Sequence, residues 1–387
     1  MTGKYSSPSS DLLRDPIQRL ANNSEDVRKM DALHAVFDLM GFSAEVKRIV
    51  HGPQATQFAI CIADGINVNK LASKQDQIAA VMGVDKIYIQ IPIPGTSLIG
   101  IEVPNSQRDT IYLKDLLLDD TYQSSSSPTN ICIGKTLPEE PIYCEITDLP
   151  HVLVAGKRDS GKSTFLRSVI LNLLFRASPE QVRLLLIDPT DKEFEAYKLL
   201  PHLAAPVITD AQKGIAALAW VIKEMSWRYQ LFQQAMVRNI SGYNRKMDDP
   251  IKALPFLIVI ISELGLLMEA DRKRTEAAIQ RLAALGRAAG IHLFYARGWL
   301  LFRHFRFLGW NCFIVSWIHS GGLAFCCCLM EGGNGSCRLI RQNKNSHRSG
   351  FLFWFICRLF GIVFCLLIRG VGLIWLRELH RLVRRII

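Results

Sequence analysis

The sequence predicts an α/β protein, with a parallel sheet covered by helices on both faces and preceded by a smaller α+β module. Three observations predict it. From His151 onward, short apolar runs alternate with long amphipathic helical windows. The run Phe256 to Ile261 (FLIVII) is continuously apolar, as befits a strand buried on both faces. Ahead of them, Lys86 to Ile93 (KIYIQIPI) alternates with a strand's period and ends in a Pro94-Gly95 turn.

Taken in order, residues 1–30 are polar and read as a flexible lead-in with no signal-peptide or anchor pattern. A helix is expected from Asp31 to Met40, stopped by Gly41. Alternating strands follow at Ala44 to Val46 and Thr56 to Ile62, then a helical window at Ser73 to Met82 and a strand at Leu98 to Val103. A short helix, Leu113 to Leu118, leads into the serine run Ser124 to Ser127, the best linker in the body. The second region then begins: strand His151 to Ala155, helix Ser163 to Phe175, strand Arg183 to Ile187 and a long helix from Ala211 to about Ala235. Strand Phe256 to Ile261, helix Arg272 to Ala289 and strand Ile291 to Ala296 complete it. The expected division is 1–30, 31–148, 149–296 and 297–387.

Composition separates the last segment from the rest. The formal charge of the 387 residues is +11. Residues 297–387 hold 13 Lys and Arg against Glu331 and Glu378 and so carry all of it. The first 296 residues balance 33 bases against 33 acids, which excludes a uniformly basic nucleic-acid-binding body. Seven of the ten cysteines also lie in the tail, at spacings that match no zinc pattern, and Cys61, Cys132 and Cys144 read as ordinary buried thiols of a reduced compartment.

The strongest chemical signal is Gly156-Lys157-Arg158-Asp159-Ser160-Gly161-Lys162-Ser163, followed by Thr164. It fits the phosphate-loop pattern G-x-x-x-x-G-K-[ST], seated between an apolar strand and a helix. Glycines let successive N–H groups curl inward onto phosphate oxygens, and the helix N-terminus adds partial positive charge. Lys162 is placed to reach the β- and γ-phosphates of ATP, and Ser163 to ligate Mg²⁺. At the end of the FLIVII strand stand Ser262 and Glu263. Glu263 is the candidate catalytic carboxylate at the sheet edge where ligands bind, and Ser262 a weaker, neutral magnesium ligand. Asp188-Pro189 ends the neighbouring strand and reads either as a rim acid or as turn chemistry. Arg228, Arg238 and Arg287 are candidate phosphate sensors, each weighed against a solvated helix face.

Together these residues resemble the motor part of the FtsK/SpoIIIE family of DNA translocases. The resemblance runs from about 42 to 296 through Val50-His-Gly-Pro53, Ile91-Pro-Ile-Pro-Gly95, Gly100-Ile-Glu-Val-Pro-Asn105 and Leu149-Pro-His-Val-Leu-Val-Ala-Gly156. It continues through Leu186-Ile-Asp-Pro189, Pro201-His-Leu203, Val237-Arg-Asn-Ile240 and Arg287-Ala-Ala-Gly-Ile-His292. It implies an α module (31–148) joined to a RecA-like ATPase module (149–296), acting as a homo-hexameric ring on double-stranded DNA. It also implies a cytoplasmic bacterial motor for chromosome partition at cell division or for DNA transfer, using ATP and Mg²⁺. The chain departs from the family pattern at Ser262, where the family has Asp, and at Thr190, where it has Lys. It departs again at Arg297-Gly298-Trp299, where the family has a Thr-Gln-Arg-Pro segment. The alternatives are a remnant that binds nucleotide without hydrolysing it, and a related ATPase that drives protein export.

For the tail, two readings stay open. Phe307 to Met330 carries no formal charge and Phe351 to Ile368 only Arg358, which approaches membrane-spanning length. Asn311, His319 and the mid-span Arg358 count against a membrane tail. Sequence rich in Arg, Trp, Phe and Cys, with no Asp, is what a shifted reading frame produces, and that reading is preferred.

Overall fold

The structure is a computed structural model. It describes residues 5–17, 23–41, 43–62, 71, 73–93, 95–107, 109–137, 139–149, 151–156, 159–247, 249 and 252–298, with strands at 313–317, 327–330 and 337–340.

The first module is a four-stranded antiparallel sheet covered by helices. Helix α1 (Asn23–Leu39) precedes β1 (Ala44–His51) and β2 (Ala55–Ile62). Helix α2 (Gln75–Val81), β3 (Tyr88–Gln90) and β4 (Ile99–Pro104) follow, and the strand order is β1-β2-β4-β3. Leu33, Val36 and Phe37 of α1 meet Phe58, Ile60 and Ile101 of the sheet and Ile78 of α2 in one buried cluster. Each such side chain contributes about 1.5–3 kcal/mol by burial. Helix α1 starts eight residues earlier than Asp31, which corrects the expected lead-in. Its polar first turns lack apolar periodicity, but one ion pair within the helix and two tertiary partners hold them. Glu25 pairs with Lys29 at 2.7 Å and accepts from the Ser106 hydroxyl at 2.7 Å, and Asp26 faces His51 at 3.4 Å. Earlier still, the Tyr5 hydroxyl donates to the Leu174 carbonyl at 2.8 Å, and Asp15 pairs with Lys114 at 2.6 Å.

Between the two sheets lie α3 (Leu113–Leu118), α4 (Asp120–Ser124) and a hairpin, β5 (Asn130–Lys135) with β6 (Pro141–Glu145). The sequence pattern did not predict this hairpin. Ile131, in β5, joins the core of the second sheet.

That sheet has the order β11-β7-β10-β9-β8, with every pairing parallel. Its strands are β7 (His151–Gly156), β8 (Val182–Ile187), β9 (Phe256–Ile261), β10 (Ile291–Gly298) and β11 (Phe313–Trp317). Helix α5 (Lys162–Arg176) covers one face, where Val152, Val154, Ile258 and Ile260 meet Leu166, Ile170 and Leu173. The other face lies under α6 (Ala211–Gln234), α8 (Leu264–Ala270) and α9 (Arg272–Leu285). There Leu153, Val259 and Ile261 meet Leu218, Leu267 and Ile279. Two covered faces explain why these strands read as unbroken apolar runs. The short helix α7 (Ile240–Met247) lies between α6 and β9 in the chain. The single helix expected from Arg272 to Ala289 divides at Gly286: α9 ends at Leu285, and a 3-10 turn, Arg287–Ala289, closes on Gly290 at φ +71.

Strand β10 runs two residues past Ala296, and β11 extends the sheet beside β7. Strands β12 (Cys327–Met330) and β13 (Cys337–Ile340) form a hairpin. The charge-free run at Phe307 and the run at Phe351 fall wholly or largely outside the described residues. Among the described residues, no helix is long and apolar enough to cross a membrane.

Candidate nucleotide site

The C-terminal edge of the parallel sheet collects the candidate residues. Strand β7 ends at Gly156, and α5 begins at Lys162 with Gly161 as its N-cap at φ +93. That conformation is open to glycine and strained for other residues. Asp159 also has positive φ, +59. No acidic residue stands in the first turn of α5, so its amides face outward with the positive end of the helix dipole uncompensated by side chains. Lys162 Nζ donates to the Gly156 carbonyl at 3.2 Å, folding the lysine back over the loop. Ser163 is half-buried and Thr164 exposed in the same turn. Ser160 is buried at 3% exposure, and its Oγ has no hydrogen-bond partner among the described residues. An orphaned hydroxyl inside the loop matches a phosphate acceptor. Lys157 and Arg158 lie outside the described residues.

Strand β10 separates β7 from β9. Just past β9, Glu263 is the N-cap of α8, and its Oε1 accepts from the Gly265 amide at 3.1 Å. Ser262 is nearly buried, its amide donates to the Ile187 carbonyl at 3.0 Å, and its Oγ lies 2.6 Å from Asp188 Oδ1. Asp188 is 1% exposed. Its Oδ1 also accepts from Thr190 Oγ1 at 2.6 Å, and its Oδ2 from the amides of Lys192, Glu193 and Phe194 at 3.0, 2.7 and 3.0 Å. Burial pushes the Asp188 pKa up, but the hydrogen bonds from Ser262, Thr190, Phe194 and Glu193 outweigh it, and the net direction is down. Asp188 is therefore a carboxylate at neutral pH, and it organises the turn after β8.

Of the three candidate sensors, Arg228 and Arg287 do not reach this chain's own phosphate loop. Arg228 is buried at 3% and donates to the Pro255 and Ala289 carbonyls, which precede β9 and β10. Arg287 donates to the Thr147 carbonyl, ahead of β7. Both lie at the N-terminal edge of the sheet, opposite this chain's phosphate loop, where backbone carbonyls left over at strand entries accept from the buried Arg228 and the exposed Arg287. Arg238 is exposed just before α7. One residue at the functional edge was missed. Arg297 pairs in register with Ala155 at the end of β10, is 5% exposed, and acts electrostatically on Glu263. Sequence composition assigned it to the tail, and only the strand register brings it here.

Among the described residues, no cluster of three His, Cys, Asp or Glu side chains could hold a metal. The available donors are the oxygens of Ser163, Ser262 and Glu263. A hard-oxygen set this sparse suits Mg²⁺ held chiefly by nucleotide phosphates.

Comparison with known proteins identifies the family. The FtsK alpha domain model matches residues 7–105, and the FtsK/SpoIIIE family model matches residues 112–300. A DNA translocase FtsK of Staphylococcus epidermidis is 37% identical over 301 residues, covering 76% of this chain and 38% of its own length. One from Helicobacter pylori is 38% identical over 276 residues, covering 71% of this chain and 32% of its own. The chain thus spans about two fifths or less of these relatives. Among solved structures, the cytoplasmic domain of the Thermomonospora curvata Type VII secretion ATPase EccC is 23% identical, over 53% of this chain and 26% of its own, with a TM-score of 0.46. Two family models in tandem, in the order in which the sheets follow one another, account for nearly all of residues 7–300: the chain belongs to the FtsK/SpoIIIE family.

Proposed function

We propose that this chain is the motor part of an ATP-dependent double-stranded DNA translocase. The observation that carries the reading is the loop between β7 and α5, with left-handed Gly161, the buried Ser160 hydroxyl that has no partner among the described residues, and the amides of an acid-free first helical turn. Together they form an anion cradle of triphosphate type. In this reading Gly156, Ser160, Gly161, Ser163 and Thr164 bind the nucleotide, and Lys162 neutralises the β- and γ-phosphates. Mg²⁺, if bound here, would supply positive charge to offset that of the phosphates. Ser163 and Ser262 are the residues that would meet its shell. Glu263, swung off the α8 cap, orients a water toward the γ-phosphate.

Family membership supports DNA as the substrate, and the reading takes a homo-hexameric ring as the working form. The balanced charge of residues 1–296 means that any DNA grip is local and strongly weakened by salt. A second reading is favoured by Ser262, which puts a neutral group at the edge of β9: a protein that binds nucleotide and does not turn it over. Steady-state ATPase assays with and without duplex DNA decide between them. DNA-stimulated turnover is expected. ATP binding without turnover would support the second reading, and turnover indifferent to DNA would remove the translocase assignment.

A further inference from the structure

Asp188 has five hydrogen-bond donors on two oxygens. A carboxylate offers about four lone-pair sites, so this one is filled and has no lone pair left for a metal ion or its water. The donor that matters is Ser262. A serine hydroxyl has one proton and two lone pairs. At 2.6 Å from Asp188 Oδ1, with the carboxylate acceptor-only, that proton must point at Asp188. The Ser262 oxygen is then an acceptor toward everything else. Ser262 keeps 9% exposure, whereas Asp188 keeps 1%, so Ser262 is the more accessible residue of the pair at this edge of the sheet. A hydroxyl donating to an anion is also polarised, with more negative charge on its oxygen.

Resting on the magnesium–nucleotide reading above, we propose that Asp188 is a positioning residue for the metal shell. It fixes Ser262 as an oriented acceptor for a magnesium-bound water and lends that oxygen part of its own charge. The negative charge that a carboxylate at position 262 would place in contact with the shell is here set one bond-shell deeper and relayed through the hydroxyl. Thr190, on the same Oδ1 at 2.6 Å, limits how far Asp188 can turn. The three amides on Oδ2 anchor the carboxylate to the turn after β8.

The test uses the full chain and a non-hydrolysable ATP analogue, with affinity measured in EDTA and then across a Mg²⁺ titration. Asp188→Asn is nearly isosteric, keeps an oxygen for the backbone amides, and presents an amide donor to Ser262, which reverses the polarity of the hydroxyl. Ser262→Ala removes the hydroxyl and leaves the backbone anchors of Asp188 intact. Each is expected to raise the Mg²⁺ concentration for half-maximal binding by roughly tenfold, the usual cost of losing a partner behind a metal ligand. Affinity in EDTA should stay at the wild-type value. The double variant should be no worse than either single one, because both remove the same relay. An unchanged Mg²⁺ requirement in Asp188→Asn overturns the proposal, as do effects that multiply in the double variant. An equal loss of affinity in EDTA also overturns it, since that marks a purely structural role. Wild-type chain that binds no analogue under either condition brings down the nucleotide reading itself, and this proposal with it.

Discussion

Arg228 donates through Nη1 to the carbonyl oxygen of Ala289 at 2.9 Å, bridging 61 residues of sequence. The same nitrogen serves the Pro255 carbonyl at 2.9 Å, and Nε pairs with Glu224 at 2.8 Å. One guanidinium thus ties α6 to the entries of both β9 and β10. Arg228→Ala leaves two buried carbonyls and an acid without their partner, and is expected to cost about 3 kcal/mol. Chemical denaturation of the variant checks this. A loss confined to ATP turnover, with stability unchanged, would return Arg228 to a sensor role.

Gly290 carries the turn into β10 at φ +71, and a Cβ there would stand against Ile240 and, at 3.2 Å, Phe256. Gly290→Ala combines left-handed strain with crowding and is expected to destabilise by about 3 kcal/mol. A melting curve indistinguishable from wild type would show that α7 yields freely.

His151 opens β7, fully buried, and its Nδ1 accepts from the Leu293 amide at 3.1 Å. Burial, aided by the His292 ring 6.4 Å away, pushes its pKa from 6.5 down to about 3. The unfolded chain therefore binds a proton that the folded chain refuses. This stabilisation is complete above about pH 6.5 and is lost as pH falls from there toward 3. Urea midpoints should decline between pH 6.5 and 5, above the range where most carboxylates titrate. In His151→Gln that part of the decline should flatten. An identical slope in the variant would remove His151 as its source.

Lys162→Ala removes the ammonium that folds back over the phosphate loop and is expected to weaken ATP binding roughly 100-fold, the scale of a charge-assisted contact. The thermal midpoint without nucleotide should hold, because the lysine belongs to neither of the buried clusters on the two faces of the sheet. Calorimetric titration reads the first quantity and unfolding the second. Unchanged ATP affinity would dissolve the cradle assignment.

Much of the fold was legible in the residues. FLIVII, the apolar run at His151 and the helical window from Ala211 each became the element they spelled, because a strand buried on both faces and a long amphipathic helix carry their environment in their own pattern. The phosphate loop was legible for the same local reason: its glycines, lysine and serine act within eight consecutive residues. The start of α1 was not, because Glu25 and Asp26 are held by Lys29, Ser106 and His51 and not by apolar periodicity. The β5–β6 hairpin was missed similarly. Asn172 of α5 grips the Cys132 amide at 2.9 Å from 40 residues away.

By itself, then, the sequence determined the strands and long helices of the parallel-sheet region, the phosphate-loop pattern and the family resemblance, all of which depend on neighbours along the chain. Tertiary structure alone decided what Asp188, Arg228 and Arg297 do. An aspartate before proline, an arginine on a helix and an arginine at a composition break are each chemically ambiguous until a partner arrives from elsewhere in the chain. For Asp188 that partner stands 74 residues away. Charge and hydrogen-bonding groups take their roles from what surrounds them after burial, and burial is a property of the packed chain.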